Sequence, residues 1–444
     1  MKSVDQARNL AQDIVARAIA AGADAADAAA ASHASLNVSV RLGALEDVGR
    51  SEGEDLSLRV FVGKRNASVS TSEFAGAALD ELVERAIRMA KEAPEDKWAG
   101  LAPKERLLHG APPMLDVDDG GVISPEELRE RALAAEDAAR AIDGVTNSEG
   151  AGAGASRSVI ALATSHGFAG GYAATSYGIQ ASVLAGKAGG MERDYAHHSA
   201  RHLAHLEDAA TIGRRAGERA VKRLNPGRVS SGAMPVVFDP RVGASLLGHL
   251  VGAIAGPAIA RKTSFLLDAM GDCVFAPGVT VRDDPHRPHG LRSRPFDGEG
   301  AAVLPIAIIE DGHLETWLLD SASARQLGME PTGHAGRGGG VAASNLYMEA
   351  GSMSPQALIA GIDRGVFVTE LIGQGVNGTT GDYSRGASGF LIENGEITRP
   401  IAEFTIAGNL KAMYPALTPA NDLEFRYGIN VPTLRIDGMT VASG

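Results

Sequence analysis

A single cysteine, Cys273, stands in this chain of 444 residues, so no intrachain disulfide framework holds the fold together. Excess positive charge is also missing. Forty-two Lys and Arg face 54 Asp and Glu, for a formal net charge of −12, which argues against a mainly electrostatic grip on nucleic acid or anionic lipid. The N-terminal stretch MKSVDQARNLAQDIVARAIAAGADAAD intersperses Asp and Arg at helical spacing, so it offers no continuous apolar h-region and no signal peptide is expected. The one long uncharged run lies between Arg241 and Arg261. Its segment GHLVGAIAG contains two overlapping Gly-x-x-x-Gly spacings, a close-packing signature of lipid-embedded helices. Pro257 interrupts the run, alanine and glycine dominate it, and no second candidate span exists, so the expectation is a soluble helix whose glycines at 248, 252 and 256 let another backbone approach. Neither a repeat nor a low-complexity tract occurs. These absences together point to the cytoplasm, with no nucleic acid and no membrane as partner.

With 44% hydrophobic and 22% charged residues the chain reads as globular, and its length exceeds what one core usually organises, so two or three domains are expected. A helix over roughly 4 to 21 is followed by alternating stretches at 35 to 43, 55 to 63 and 66 to 72, which read as antiparallel strands. An amphipathic helix over 76 to 93 and a proline-interrupted linker close this segment. In ISPEELRERALAAEDAARAI, Ser124 stands at the N-cap, Pro125 at the first helical position and Glu127 at the capping-box position. Strand-like SRSVIALATSHG and YAATSYGIQASVLAG come next, then a helix from about 206 to 224 that stops before Asn225-Pro226-Gly227. Beyond it, short strands alternate with glycine turns, with hairpins expected at Asp311-Gly312 and Asn394-Gly395. The fold class is α+β: an N-terminal α/β region of antiparallel strands and packed helices, followed by a β-rich C-terminal domain of short antiparallel strands. The expected divisions are 1–115, 116–228 and 229–444.

Twelve histidines make metal binding the first chemistry to test. A helical zinc hydrolase site needs two imidazoles one turn apart, a carboxylate and a third ligand from elsewhere. His249 has Ser245, Gly252 and Ala253 at the helical spacings where a partner would stand, and a lone histidine on an apolar helix reads as a packed residue. In YAHHSARHLAHLED, His198, His202 and His205 would share one face if the helix begins early, which can bind a divalent ion but equally describes a solvated face. HRPHG (286 to 290) is a weaker candidate in a proline-rich loop. GRGGGVAAS (336 to 344) lacks the Gly-Lys-Ser/Thr ending of a phosphate loop. GQGVNGTTGDYSRGASG (373 to 389) gathers Asn377, Thr379, Thr380, Asp382 and Ser384 among glycines, which suits a surface that approaches another main chain and satisfies its polar groups, and equally suits a set of tight turns.

The blocks RVFVGKRNASVSTS, MERDY with RHL, RLNPGRV, SRPFDGEG and GVNGTTGDYSRGASGFLIENGEITRPIAEFTIAGNL, in this order, resemble the TldD/PmbA family of bacterial metallopeptidases over nearly the whole chain. The TldD branch carries H-E-x-x-x-H on a helix at the place of GHLVGA, with a C-terminal cysteine as a further zinc ligand. Here Gly248, His249 and Ala253 stand where that pattern wants His, Glu and His, with Gly252 between them, and the terminal segment EFRYGINVPTLRIDGMTVASG has no cysteine. The chain therefore resembles the PmbA branch, also called TldE. The resemblance implies a chain without catalytic residues, metal or cofactor of its own, self-associating as a homodimer when alone. It also implies a heterodimer with a TldD-type subunit that holds the zinc, and a chamber admitting extended or unfolded peptides. Asn377, Thr379, Thr380, Asp382 and Ser384 are then candidate peptide-binding residues. Two other classes stay open: a stand-alone homodimeric hydrolase using the histidines at 198, 202 and 205, and a non-enzymatic structural or regulatory partner.

Overall fold

The computed structural model describes residues 1–187 and 189–443. Its N-terminal half is one antiparallel sheet of unusually long strands. β1 (Ala25–Arg41), β2 (Ala44–Val62), β3 (Arg65–Thr71), β4 (Val145–Thr164), β5 (Ala169–Ala185) and β6 (Glu192–Ala200) lie in the order β3-β2-β1-β4-β5-β6. Strands from both sides of the linker thus share one sheet, joined where Asp27 to Val40 of β1 pair with Thr164 to Ala151 of β4.

Four helices pack on one face of this sheet: α1 (Val4–Ala20), α2 (Gly76–Glu92), α3 (Pro125–Arg140) and α4 (Ala209–Lys222). The side-chain period of two in a strand decides which face that is. Even positions of β1 are buried, with Ala26, Ala28 and Ala30 under α1 and α2, and Val38 and Val40 under α3 and α4. Small residues bring helix and sheet close: Ala7, Ala11 and Ala18 of α1 meet the alanines of β1, and Ala132, Ala135 and Ala139 of α3 meet Ala151 and Ala153 of β4. The expected cap of α3 is present, and α1 carries one that went unread in the sequence. Ser124 and Glu127 form a complete capping box on α3, and Ser3 with Gln6 does the same on α1.

The C-terminal half is the β-rich part the alternation implied. β7 (Gly232–Phe238) precedes two helices, α5 (Pro240–Ala253) and α6 (Gly256–Ala260). Short strands β8 (Val281–Asp284), β9 (Ile306–Glu310), β10 (His313–Leu314) and β11 (Asn345–Met348) then alternate with α7 (Ser321–Leu327) and α8 (Pro355–Ala360). Next come β12 (Arg364–Ile372), β13 (Asp382–Glu393), β14 (Glu396–Asn409), α9 (Leu410–Met413), β15 (Leu417–Pro419), β16 (Ile429–Asn430) and β17 (Leu434–Ser443). Strands β10-β9-β8-β11-β16 make one sheet and β14-β13-β12-β7-β17-β15 a second, which an additional β14–β17 pairing closes on itself. The helix α5 shares its core: Leu246, Leu247 and Leu250 are buried with Val236, Phe238, Val366, Val368 and Leu434. No helix among the described residues is long and apolar enough to cross a membrane.

The glycine expectation needs correction. The helix α5 ends at Ala253, so Gly256 belongs to the next helix. An added Cβ at Gly248 or Gly252 meets nothing within 4 Å, whereas at Gly256 it would fall 2.3 Å from Ser323 Oγ. Backbones approach one another instead at Gly213 and Gly217 of α4, where a Cβ would stand 2.0 Å and 2.7 Å from the carbonyl oxygens of Ala135 and Ala139 in α3.

Candidate functional site

Asp239 begins α5 by accepting a hydrogen bond from Arg241 N at 3.0 Å, with Pro240 in the first turn where its missing N–H costs nothing. Arg241 in turn donates to Asp194 of β6, Nη1 to Oδ1 at 2.8 Å, and Arg223 approaches the same carboxylate at 3.6 Å. Asp194 is 3% exposed. The MERDY stretch thus fixes the start of α5 against the N-terminal sheet.

From that start the helix presents Gly248 and Gly252 to solvent and turns His249 toward β13. The His249 ring meets Tyr383 edge-on, with centroids 6.0 Å apart. Neither His249 Nε2 nor the Tyr383 hydroxyl, both buried atoms, has a hydrogen-bond partner among the described residues. Burial, assisted by the charge of Arg385, lowers the His249 pKa, so the imidazole is neutral at physiological pH. Burial pushes the Tyr383 phenol up to about 12. A zinc ion does not fit here. The helix offers one imidazole, and Ser245, Gly252 and Ala253 bring no second nitrogen, carboxylate or thiolate.

The five candidate residues of the 373–389 stretch are all exposed; three of them, Asn377, Asp382 and Ser384, line an open cleft of about 570 Å³ with Gln374, Gly375 and Gly378, and Thr379 and Thr380 are not among its lining residues. Asn377 Oδ1 accepts from the N–H groups of Thr379 (2.9 Å) and Thr380 (3.2 Å). Thr380 Oγ1 donates to Asp382 Oδ2 at 2.7 Å, and Asn409 Nδ2 donates to Asp382 Oδ1 at 2.9 Å. These two bonds hold the Asp382 carboxyl below the usual carboxylate range. Among the described residues, the side chains of Thr379 and Ser384 bond to none of their surroundings, although the Ser384 N–H donates to Gly375 O at 2.7 Å.

The expected histidine face is not helical. Pairing of β5 with β6 runs on to Ala200, which makes His198 a strand residue, and Asp208 caps α4 only from Ala209. His198 Nδ1 accepts from Glu207 N at 3.1 Å. The other two lie at a short 3₁₀ turn, Leu203–His205, and are joined there by His289 of the HRPHG loop.

One surface went unread in the sequence. The face of the N-terminal sheet opposite the helices carries a cleft of about 510 Å³, lined among others by Asn37, Ser39, Ser156, Gly178, Gln180 and His197. Its glycines and serines occupy odd positions of β1 and β6 and even positions of β4 and β5. That alternation was visible, but nothing local shows that one face of a strand has no covering helix.

Family models match the chain in three consecutive pieces: the PmbA/TldA metallopeptidase domain 1 over residues 26–90, the central domain over 118–224 and the C-terminal domain over 231–443. The chain is 38% identical to Metalloprotease PmbA of Escherichia coli O157:H7, covering 100% of this chain and 98% of that one. It is 36% identical to the Metalloprotease PmbA homolog of Haemophilus influenzae, over 92% and 90%. Among solved structures, a candidate modulator of DNA gyrase from Bacteroides thetaiotaomicron superposes with a TM-score of 0.92 at 28% identity, covering 99% of each chain. TldE from Thermococcus kodakarensis shares the fold with a TM-score of 0.86 at 23% identity, over 98% and 100%.

Proposed function

Since the chain belongs to the PmbA/TldD metallopeptidase family, we propose that it is the PmbA/TldE-type subunit of a cytoplasmic peptidase complex, supplying chamber wall and peptide-binding surface to a zinc-bearing TldD-type partner. The observation that carries this reading is helix α5. It stands in the C-terminal segment with a single imidazole, His249, two solvent-facing glycines and no ligand set around them. A chain so equipped has no means of activating water on zinc at that helix, so hydrolysis rests with the partner.

Peptide binding has support from two surfaces. The open sheet face is polar and glycine-rich over about 510 Å³, and the loop at 373–384 exposes Asn377, Asp382 and Ser384 around its cleft. The Asn, Ser and Gln side chains of the sheet face and the Asp and Ser side chains of the loop can hydrogen-bond the main chain of an extended peptide, which selects little among its side chains.

The test is co-expression with a TldD-type chain from the same genome. Peptidase activity on an unfolded polypeptide is expected only in the mixed complex, with the chain alone inactive and self-associated. Within that complex, Thr380→Val and Ser384→Ala should raise KM or lower kcat/KM by about 10-fold while assembly and Tm stay near the parent values. Full activity of the isolated chain, or two subunits that never co-elute, would overturn the reading.

A further inference from the structure

Three histidines that are far apart in sequence converge outside the α5 region. His202 and His205 come from the turn after β6, and His289 comes from the loop after β8. Their ring centroids lie 5.4 Å (202–205), 4.6 Å (202–289) and 4.7 Å (205–289) apart. One nitrogen of each ring lies within 4.8 Å of one nitrogen of each of the others, and this is the one group of three or more metal-capable side chains so placed among the described residues.

A fourth residue organises them. Asp116, on the segment that links the two halves of the N-terminal sheet, receives Nε2 of His289 on its carboxylate Oδ2 at 2.7 Å. Its main-chain oxygen receives Nε2 of His202 at 2.9 Å. A histidine that ligates a metal almost always donates its other ring N–H to a carboxylate or a backbone carbonyl, which fixes ring and tautomer. Asp116 supplies one of each. Both Asp116 (φ 50°) and His289 (φ 57°) hold left-handed backbone conformations, which non-glycine residues adopt at a cost and which cluster at ligand clamps.

We propose that His202, His205 and His289 bind one late first-row divalent ion of the zinc class, oriented by Asp116, and that the ion ties the turn after β6 to the loop after β8. Neutral imidazoles select zinc, cobalt, nickel or copper and leave calcium and magnesium to oxygen ligands. Tetrahedral coordination at 2.0–2.1 Å brings ligand nitrogens to about 3.3 Å from one another, so the rings close inward by rotation of half-exposed side chains. The ion serves as a clamp: its ligands come from both halves of the chain, and none comes from α5.

The experiment uses the full chain, stripped with a chelator and titrated with Zn²⁺ by calorimetry and with Co²⁺ by visible absorption. One ion per chain is expected, with a cobalt spectrum of nitrogen-rich tetrahedral type and a raised Tm. His202→Ala and His289→Ala should each weaken binding 100-fold or more, and Asp116→Ala 10- to 100-fold. His249→Ala and His198→Ala should bind as the parent does. Should an alanine variant fail to fold, His205→Gln at the exposed member carries the same test. Unchanged affinity in the His202→Ala/His289→Ala double variant, or binding abolished by His249→Ala instead, would overturn the proposal.

Discussion

Glu136 shows how a buried charge can set the course of a distant chain reversal. Its side chain lies on α3, fully buried, and its carboxylate accepts from Leu42 N (2.8 Å), Gly43 N (2.8 Å) and Ser148 Oγ (2.5 Å). Leu42 and Gly43 are the two-residue turn between β1 and β2, and both have positive φ, 52° and 78°. A leucine in that conformation is costly, and the two hydrogen bonds from the turn to Glu136 offset the cost. Burial pushes the Glu136 carboxyl up, but the bonds from Ser148, Gly43 and Leu42 outweigh it and the net shift is downward. Glu136→Gln should therefore cost about 1.5–3 kcal/mol at neutral pH. The sign of the pH dependence follows from a native pKa below the unfolded one: the contribution is present above the ordinary carboxylate range and is lost as pH falls through the lowered native value. Chemical denaturation of parent and variant should show their stability difference narrowing in acid; a constant gap would remove Glu136 from the turn's support. The turn itself was illegible in the sequence, since Leu-Gly carries no hairpin signal and its support comes from 93 residues away. Asp311-Gly312 and Asn394-Gly395 were legible, because Asp and Asn tolerate the left-handed conformations (φ 48° and 51°) that such turns require.

Element by element, the glycine spacings divide by what stands opposite them. In α5 the pattern at 248 and 252 looks like a packing stripe, but both positions are open. In α4 the same spacing, at 213 and 217, lies against the α3 backbone. Gly252→Ala should therefore stabilise the isolated chain by about 0.5–1 kcal/mol through helix propensity alone. Gly213→Ala, whose methyl would overlap Ala135 O, should destabilise it by about 1–3 kcal/mol. Thermal unfolding of the two variants with opposite signs is the expected result; equal and small effects would mean that α3 and α4 separate without strain. The comparison also explains what sequence reading can reach. Helix α3 is legible because its cap is local, Ser124 with Glu127, and α1 carries a cap of the same local kind, Ser3 with Gln6. The partner of a glycine is not local, and neither is the approach of His289 to His202 and His205. The supposed helical face of 198, 202 and 205 failed for a related reason: pairing with β5 holds His198 in a strand, and no residue near it announces that pairing.

Across the whole molecule, a few charged side chains pin the N-terminal sheet and its helices to the C-terminal half. Arg337 reaches the buried Asp27 of β1 (Nη1 to Oδ1, 2.6 Å), which also holds Arg59. Arg325 of α7 donates to the carbonyls of Trp98, Gly100 and Leu101. Glu207, just before α4, takes a two-pronged contact from Arg426 at 2.6 and 2.9 Å and a third bond from Arg215 at 2.9 Å. The bonds from Arg426 lead in lowering its pKa from 4.5 to about 2. This contribution is thus complete above about pH 4.5 and is lost as pH falls toward about 2. Glu207→Gln should lower Tm at neutral pH by the loss of charge-assisted bonds, about 1.5–3 kcal/mol, and its Tm should meet that of the parent near pH 2. Curves that stay parallel across that range would place the acid sensitivity elsewhere. The pairing of β1 with β4 has a consequence for how the chain is made. During synthesis β2 follows β1 directly and can pair with it early, yet the other edge of β1, from Asp27 to Val40, waits for its partners Ala151 to Thr164 of β4. For that interval a row of unpaired N–H and C=O groups is open to any neighbouring nascent copy. The seam that unites the sheet in the mature protein is therefore the place where an interrupted or truncated chain, such as one ending at residue 115, would aggregate.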